Sequence, residues 1–255
     1  MKPSPGFLIT SELIAAVKRK AYIPNAQNTI TDDDIISYIN EEMQDCMVPL
    51  LKSSKEEYLT YQDAISLEPY KSKYVIPYRA VGGILRDMKF RFTDGALNEM
   101  TRIQPEDRHY FEGTDQSRFL TYYFEGDQIV LVPEVGPSAT GELVVLYYLR
   151  PNDVVKETRV GQITAINTAT GEITLDKLPS NIASGSNIDL LQWKPGHRII
   201  KFDVPVLGVN TITKVVTVDS ALLPEDLVVD DIVASAGECI TPQLPPELQS
   251  LLIER

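Results

Sequence analysis

The chain has 255 residues, 43% hydrophobic and 24% charged, values that exclude a disordered or coiled-coil reading of the whole. With 36 acidic against 24 basic residues the formal charge is −12, which argues against nucleic-acid binding as the main task, because neutralising phosphates takes a basic patch. No run approaches the roughly 18–20 apolar residues of a membrane span, and Phe7-Leu8-Ile9 is too short for the core of a signal peptide, so no membrane partner is expected.

The first predicted element is a helix over residues 11–21. Leu13, Val17 and Ala21 recur every four residues with Ile14 beside them, and Lys18, Arg19 and Lys20 crowd the last turns, where cations suit the helix dipole. Pro24 stops it. A second helix opens at Thr31, which can cap it. Asp34 stands at the capping-box position, and Asp32 and Asp33 favour the positive helix end. Consecutive helical carboxylates diverge, so the Asp triplet does not predict a metal site. Ile35, Ile39, Met43 and Met47 form a core-facing stripe that is expected to end at Pro49.

From residue 57 the period changes to two. Residues 57–67 read as a strand, and Tyr74, Ile76 and Tyr78 alternate around Pro77 as an edge strand or a bend. Met88, Phe90 and Phe92 lead through Asp94-Gly95 into a hairpin return over residues 97–103, followed by a helical turn at Pro105-Glu106-Asp107. Residues 119–124 and 128–132 flank Glu125-Gly126-Asp127 as a second hairpin, and residues 142–149 form a long strand ended by Pro151. Tyrosines concentrate in these strands. Core packing is the plain reading and a sugar-binding platform the sharper one.

Residues 156–241 carry an internal echo. ITAINTATGEITLD at 163–176 resembles VLGVNTITKVVTVD at 206–219, each a strand, an Asn-Thr turn and a strand ending in Asp. Leu178-Pro179 and Leu223-Pro224 follow, then β-like segments 188–191 and 232–234. Two such units are too few for a solenoid but can close on each other as a small barrel or sandwich, here expected to have approximate two-fold internal symmetry. After Pro245-Pro246, Leu248, Leu251 and Leu252 have helical spacing in an amphipathic stub that must dock to be stable.

Catalytic patterns are not found. His109 and His197 lack metal-ligand spacing, Gly82-Gly83 lacks the rest of a phosphate-binding loop, and Cys46 and Cys239 read as two reduced thiols. Neither an enzyme nor a cofactor or metal is expected. The predicted fold class is α+β. A small helical-bundle body with a β-sheet section spans residues 1–155 and is completed by a helix at 242–255. A small β-barrel or sandwich with an internal pseudo-repeat is inserted over 156–241.

Five stretches carry a family likeness: LIAAVKRKAYIP at 13–24, TDDDIISYINEEM at 31–43, YVIPYRAVG at 74–82, YYLRP at 147–151 and LPPEL at 244–248. With the element order, they make the chain resemble the head-to-tail adaptor (connector) proteins of tailed bacteriophages. The resemblance implies a homo-oligomeric ring, a dodecamer, in the virion neck. It implies the portal protein above, the tail or a second adaptor below, and double-stranded DNA passing through the lumen without sequence-specific binding. Assembly would take place in the host cytoplasm. Rings of this type pack through helices, so the expected interface residues are Lys18, Arg19, Lys20, Glu41, Glu42, Leu248, Leu251 and Leu252. The competing expectation is a tail or baseplate carbohydrate- or receptor-binding module, for which Tyr122, Tyr123, Tyr147 and Tyr148 should be exposed.

Overall fold

The computed structural model describes residues 8–23, 29–112, 121–136, 140–193 and 199–254. The expected stop at Pro24, the first residues of the 119–124 strand and His197 lie outside them. The chain forms a mixed α and β fold in two compact units, Met1–Pro49 with Pro151–Arg255, and Leu50–Arg150.

In the first unit, helix α1 (Thr10–Lys20) buries Leu13 and Ile14. Thr10 fixes its start: the Oγ1 hydroxyl lies 2.6 Å from the Val155 carbonyl and 2.8 Å from that of Ile240. Helix α2 (Asp32–Glu42) begins as its cap predicts, with the Asp34 N–H donating to Thr31 Oγ1 and the Thr31 N–H donating back to Asp34 Oδ2. Ile35, Ile39, Met43 and Met47 are buried.

The helix does not end at Pro49. A π-helical turn (Met43–Met47) leads into α3 (Val48–Ser54), with the Val48 N–H donating to the Met43 carbonyl. Proline has no N–H to give the carbonyl four residues back, and its ring crowds that carbonyl. The wider turn absorbs both faults, and burial of Met47, Val48 and Leu51 favours continuation.

The second unit is a pair of four-stranded sheets. Strands β1 (Thr60–Ser66), β2 (Lys73–Val75), β3 (Ala80–Arg91), β4 (Leu97–Glu99), β5 (Thr101–Arg102), β6 (Thr121–Glu125), β7 (Gln128–Val132) and β8 (Glu142–Leu149) order as β1-β8-β3-β4 and β2-β7-β6-β5. A four-residue helix, α4 (Arg108–Phe111), follows β5. One core joins the sheets, with Met88, Phe90, Val145 and Tyr147 from the first and Tyr74, Tyr122, Ile129 and Leu131 from the second. Of the alternation read around Pro77 only the start is strand: β2 is an edge strand that ends at Val75, and the chain turns at Tyr78 and Arg79. The hairpin return over 97–103 splits: β4 pairs with β3, while β5 pairs in parallel with β6 in the other sheet. Met100 lies between them and is buried, so the chain crosses where its side chain enters the core.

Back in the first unit, β9 (Asp153–Val154) pairs in parallel with a late strand, β16 (Glu238–Cys239). Between them in sequence run β10 (Val160–Asn167), β11 (Glu172–Leu175), β12 (Asn187–Leu191), β13 (Ile199–Asn210), β14 (Val215–Val218) and β15 (Ile232–Ser235), which close into a six-stranded antiparallel barrel. The strand order β10-β11-β14-β13-β12-β15 is unchanged when β10, β11 and β12 are exchanged for β13, β14 and β15.

The correspondence extends to details. The β10–β11 pairing shifts register between Ile163 and Ala165, and the β13–β14 pairing shifts between Val206 and Gly208, at an offset of 43 (206 minus 163). Asn167 Oδ1 accepts from the N–H groups of Ala169 and Thr170, and Asn210 Oδ1 from those of Ile212 and Thr213. Both halves fill the centre, with Ile163, Ile173 and Leu175 matched by Val206, Val216 and Val218. The third strand of each half lies between strands of the other: β12 between β13 and β15, β15 between β10 and β12.

The unit ends in helix α5 (Pro246–Glu254), with Pro246 in its first turn. Gln249, buried, donates from Nε2 to the Leu244 carbonyl at 3.1 Å and accepts on Oε1 from the Leu8 N–H at 3.1 Å. Helix α1 packs against both α2 and α5.

Candidate interaction surface

The last turn of α1 and the outer side of α5 border a shallow groove of about 540 Å³ lined by Ala16, Arg19, Lys20, Tyr22, Ser250 and Ile253. Its rim is cationic, because the three basic residues closing α1 have different partners. Lys18 pairs with Asp32 at 2.6 Å, and Lys20 with Glu254 at 2.8 Å. Arg19 donates from Nε to the Ala15 carbonyl at 3.3 Å and has no carboxylate partner among the described residues. Tyr22 stands beyond the helix end at φ 54°, 92% exposed. The Lys20 ammonium donates to the Glu254 carboxylate and holds its pKa below the ordinary range.

A second surface follows α2. Tyr38 is 67% exposed, and Glu41 on α2 and Asp45 in the π-helical turn after it are also exposed, whereas Ile35, Ile39 and Met43 are buried. Neither acid forms an ion pair among the described residues.

The expected interface residues therefore divide. Arg19 and Lys20 line the groove, Lys18 braces α1 against the start of α2, and Glu41 faces solvent. Glu42 is half-buried. Leu252 is 4% exposed, and Leu248 and Leu251 are half-buried, so the apolar stripe of α5 is largely used by the subunit's own fold. Sequence reasoning did not single out Tyr22, Tyr38 or Ile253. Tyr38 had a readable signal, an aromatic side chain on the polar side of a helix. Tyr22 had none, because its exposure follows from the left-handed turn after α1.

Exposed apolar side chains occur elsewhere too. In the two-sheet unit Tyr70 is 77% and Tyr110 is 70% exposed, and Tyr58 and Tyr78 also face solvent. Tyr122, Tyr123, Tyr147 and Tyr148, the four on which a sugar platform was expected, are buried. On the barrel, Leu207, Ile212, Val228 and Val229 are exposed, whereas the matching places in the first half hold Thr164, Ala169, Ala183 and Ser184.

The titratable clusters are local braces. Glu56 accepts from Arg86 Nη2 at 2.7 Å and from the Tyr148 hydroxyl at 2.6 Å, an interaction that raises the Tyr148 pKa. His109 Nδ1 lies 2.8 Å from the Glu106 carbonyl. No group of three His, Cys, Asp or Glu side chains among the described residues is placed to hold a metal ion, and no described helix is long and apolar enough to cross a membrane. No protein-family model matches the chain, and no curated protein matches it.

Proposed function

We propose that this chain is a structural protein of a phage virion, a head-to-tail adaptor that assembles into a ring between the portal and the tail. The observation that carries this reading is the set of large apolar side chains left in solvent in the first unit, Tyr22 and Ile212 at 92% foremost. A subunit finished by neighbours would cover such side chains, and aromatic residues are enriched at interfaces. An adaptor has neighbours on every side: copies of itself, the portal, and the tail or a second adaptor. In this reading α1, α2 and α5 form the layer between copies. The −12 charge supports a lumen that repels DNA and lets it pass. The ring is placed in the virion neck after assembly in the host cytoplasm, and a dodecamer fits the family likeness.

The second reading is a tail or baseplate module that binds carbohydrate or a receptor. Burial of Tyr122, Tyr123, Tyr147 and Tyr148 removes its first support, and exposure of Tyr70, Tyr78 and Tyr110 supplies another.

Mass measurement of the purified protein, alone and mixed with its portal, tests the first reading, together with particles assembled without the chain. A ring, and heads that fail to join tails in its absence, are expected. A protein that stays monomeric in both mixtures, with tails joining normally without it, overturns the adaptor reading. Saturable binding of glycans by that monomer, lost in Tyr70→Ala and Tyr110→Ala, would establish the second.

A further inference from the structure

We infer that neighbouring copies dock by seating the outer ridge of α2 and the π-helical turn after it, carrying Tyr38, Glu41 and Asp45, in the groove between α1 and α5. This inference rests on the ring reading and names the faces the ring would use. A closed ring needs two different, complementary faces on each subunit, because its contacts are heterologous. The chain carries such a pair. The groove offers Arg19 without a carboxylate partner among the described residues, Lys20 beside it, and Tyr22 and Ile253 as apolar contacts. The ridge offers two exposed carboxylates without an ion-pair partner among the described residues, and one exposed aromatic ring.

Charge decides the occupant. A chain with net charge −12 repels its own copies over most of its surface, so association is favoured where a local cationic site meets an acidic ridge. Four other acids on these helices are already engaged: Asp32 with Lys18, Asp33 with Lys156, Asp34 in the Thr31 cap and Glu254 with Lys20. Glu41 and Asp45 are left for a neighbour, and Arg19 is left to receive them. The Tyr38 ring would meet the apolar side of the groove, and Tyr22 would close over the contact. Aromatic residues and arginine are the groups that most often dominate interface energetics.

Charge reversal tests the pairing. Arg19→Glu alone, and Glu41→Lys with Asp45→Lys, are each expected to weaken ring formation about tenfold or more, with the thermal melt of the subunit unchanged. The variant combining all three substitutions is expected to regain assembly, because the charges are exchanged rather than lost. The ring population is read by mass photometry, with portal added if the wild type needs it. Rings that form undiminished in Arg19→Glu and in Tyr22→Ala overturn the inference and leave the adaptor reading standing. So does a triple variant that fails to reassemble. A wild-type chain that forms no ring with or without portal removes the adaptor reading itself, and this inference with it.

Discussion

Gly171 and Lys214 occupy equivalent places in the two hairpins of the barrel. Both have positive φ, 71° and 57°. The Val218 N–H donates to the Gly171 carbonyl at 2.9 Å, and the Leu175 N–H donates to the Lys214 carbonyl at 3.0 Å. Each hairpin end is thus locked by the other hairpin. The halves have nevertheless diverged: a Cβ built on Gly171 would lie 2.0 Å from the Val218 carbonyl oxygen, while Lys214 carries its side chain at the matching place.

Gly171→Ala is therefore expected to destabilise the protein by about 2–4 kcal/mol, combining left-handed backbone cost with a clash against main chain. Lys214→Gly should change stability by less than about 1 kcal/mol, because relief at positive φ is offset by a freer unfolded chain. Urea titrations of both variants check this. A Gly171→Ala protein as stable as the wild type would show that β14 can move away from the turn.

Asp189 should be among the most costly polar residues to remove. Its fully buried carboxylate accepts from Asn152 Nδ2 at 2.6 Å, the Asp203 N–H at 2.9 Å and the Gly237 N–H at 3.0 Å. Asp189→Ala strands three donors, at roughly 1–3 kcal/mol each when unsatisfied, so a loss of about 3 kcal/mol or more is expected. Asp189→Asn turns an amide donor toward one of them and should also destabilise. Denaturant midpoints of the two variants provide the check.

Two half-buried carboxyls should respond to pH with opposite sign. Burial raises the Glu238 pKa, outweighing the opposing pull of Arg159 and Asn181. Its ionised form therefore costs stability above the folded pKa. The cost fades as pH falls through that value and is gone below the unfolded one. Burial also acts to raise Glu157, but hydrogen bonds from Ser11 and the nearby Lys177 charge win and lower its pKa. Its contribution is full above the unfolded pKa and is lost as pH falls through the folded one. Carboxyl chemical shifts followed by NMR should show Glu238 titrating above the ordinary glutamate range and Glu157 below it.

Thr31→Ala should cost about 1 kcal/mol, the usual worth of an N-cap, because it leaves the Asp34 N–H without its acceptor at the start of α2. The effect should appear in amide hydrogen exchange over residues 32–36 before it appears in the global melt. Unchanged exchange there would mean that packing of Ile35 and Ile39 holds the helix start unaided.

What could be read from the chain were features set by near neighbours. Thr31 and Asp34 announced a helix start because a capping box is complete within four residues. Asn167 and Asn210 announced matching turns because an Asx bond closes within three. Features set by distant packing misled. Pro49 looked like a terminator, yet buried Met47, Val48 and Leu51 carry the helix through it on a widened turn. Residues 97–103 looked like one return strand, but Met100 divides them between two sheets. At the candidate surface, the spacing of Leu248, Leu251 and Leu252 could not tell a face turned to a neighbour from one turned inward, and Leu252 is buried within its own subunit.

The interleaving of β12 and β15 has a mechanical meaning. Each of these strands is flanked wholly by the opposite repeat, so neither repeat can be peeled away while its twin stays intact. A tug on one hairpin is shared around the full circumference, and the barrel should yield as a single event or not at all.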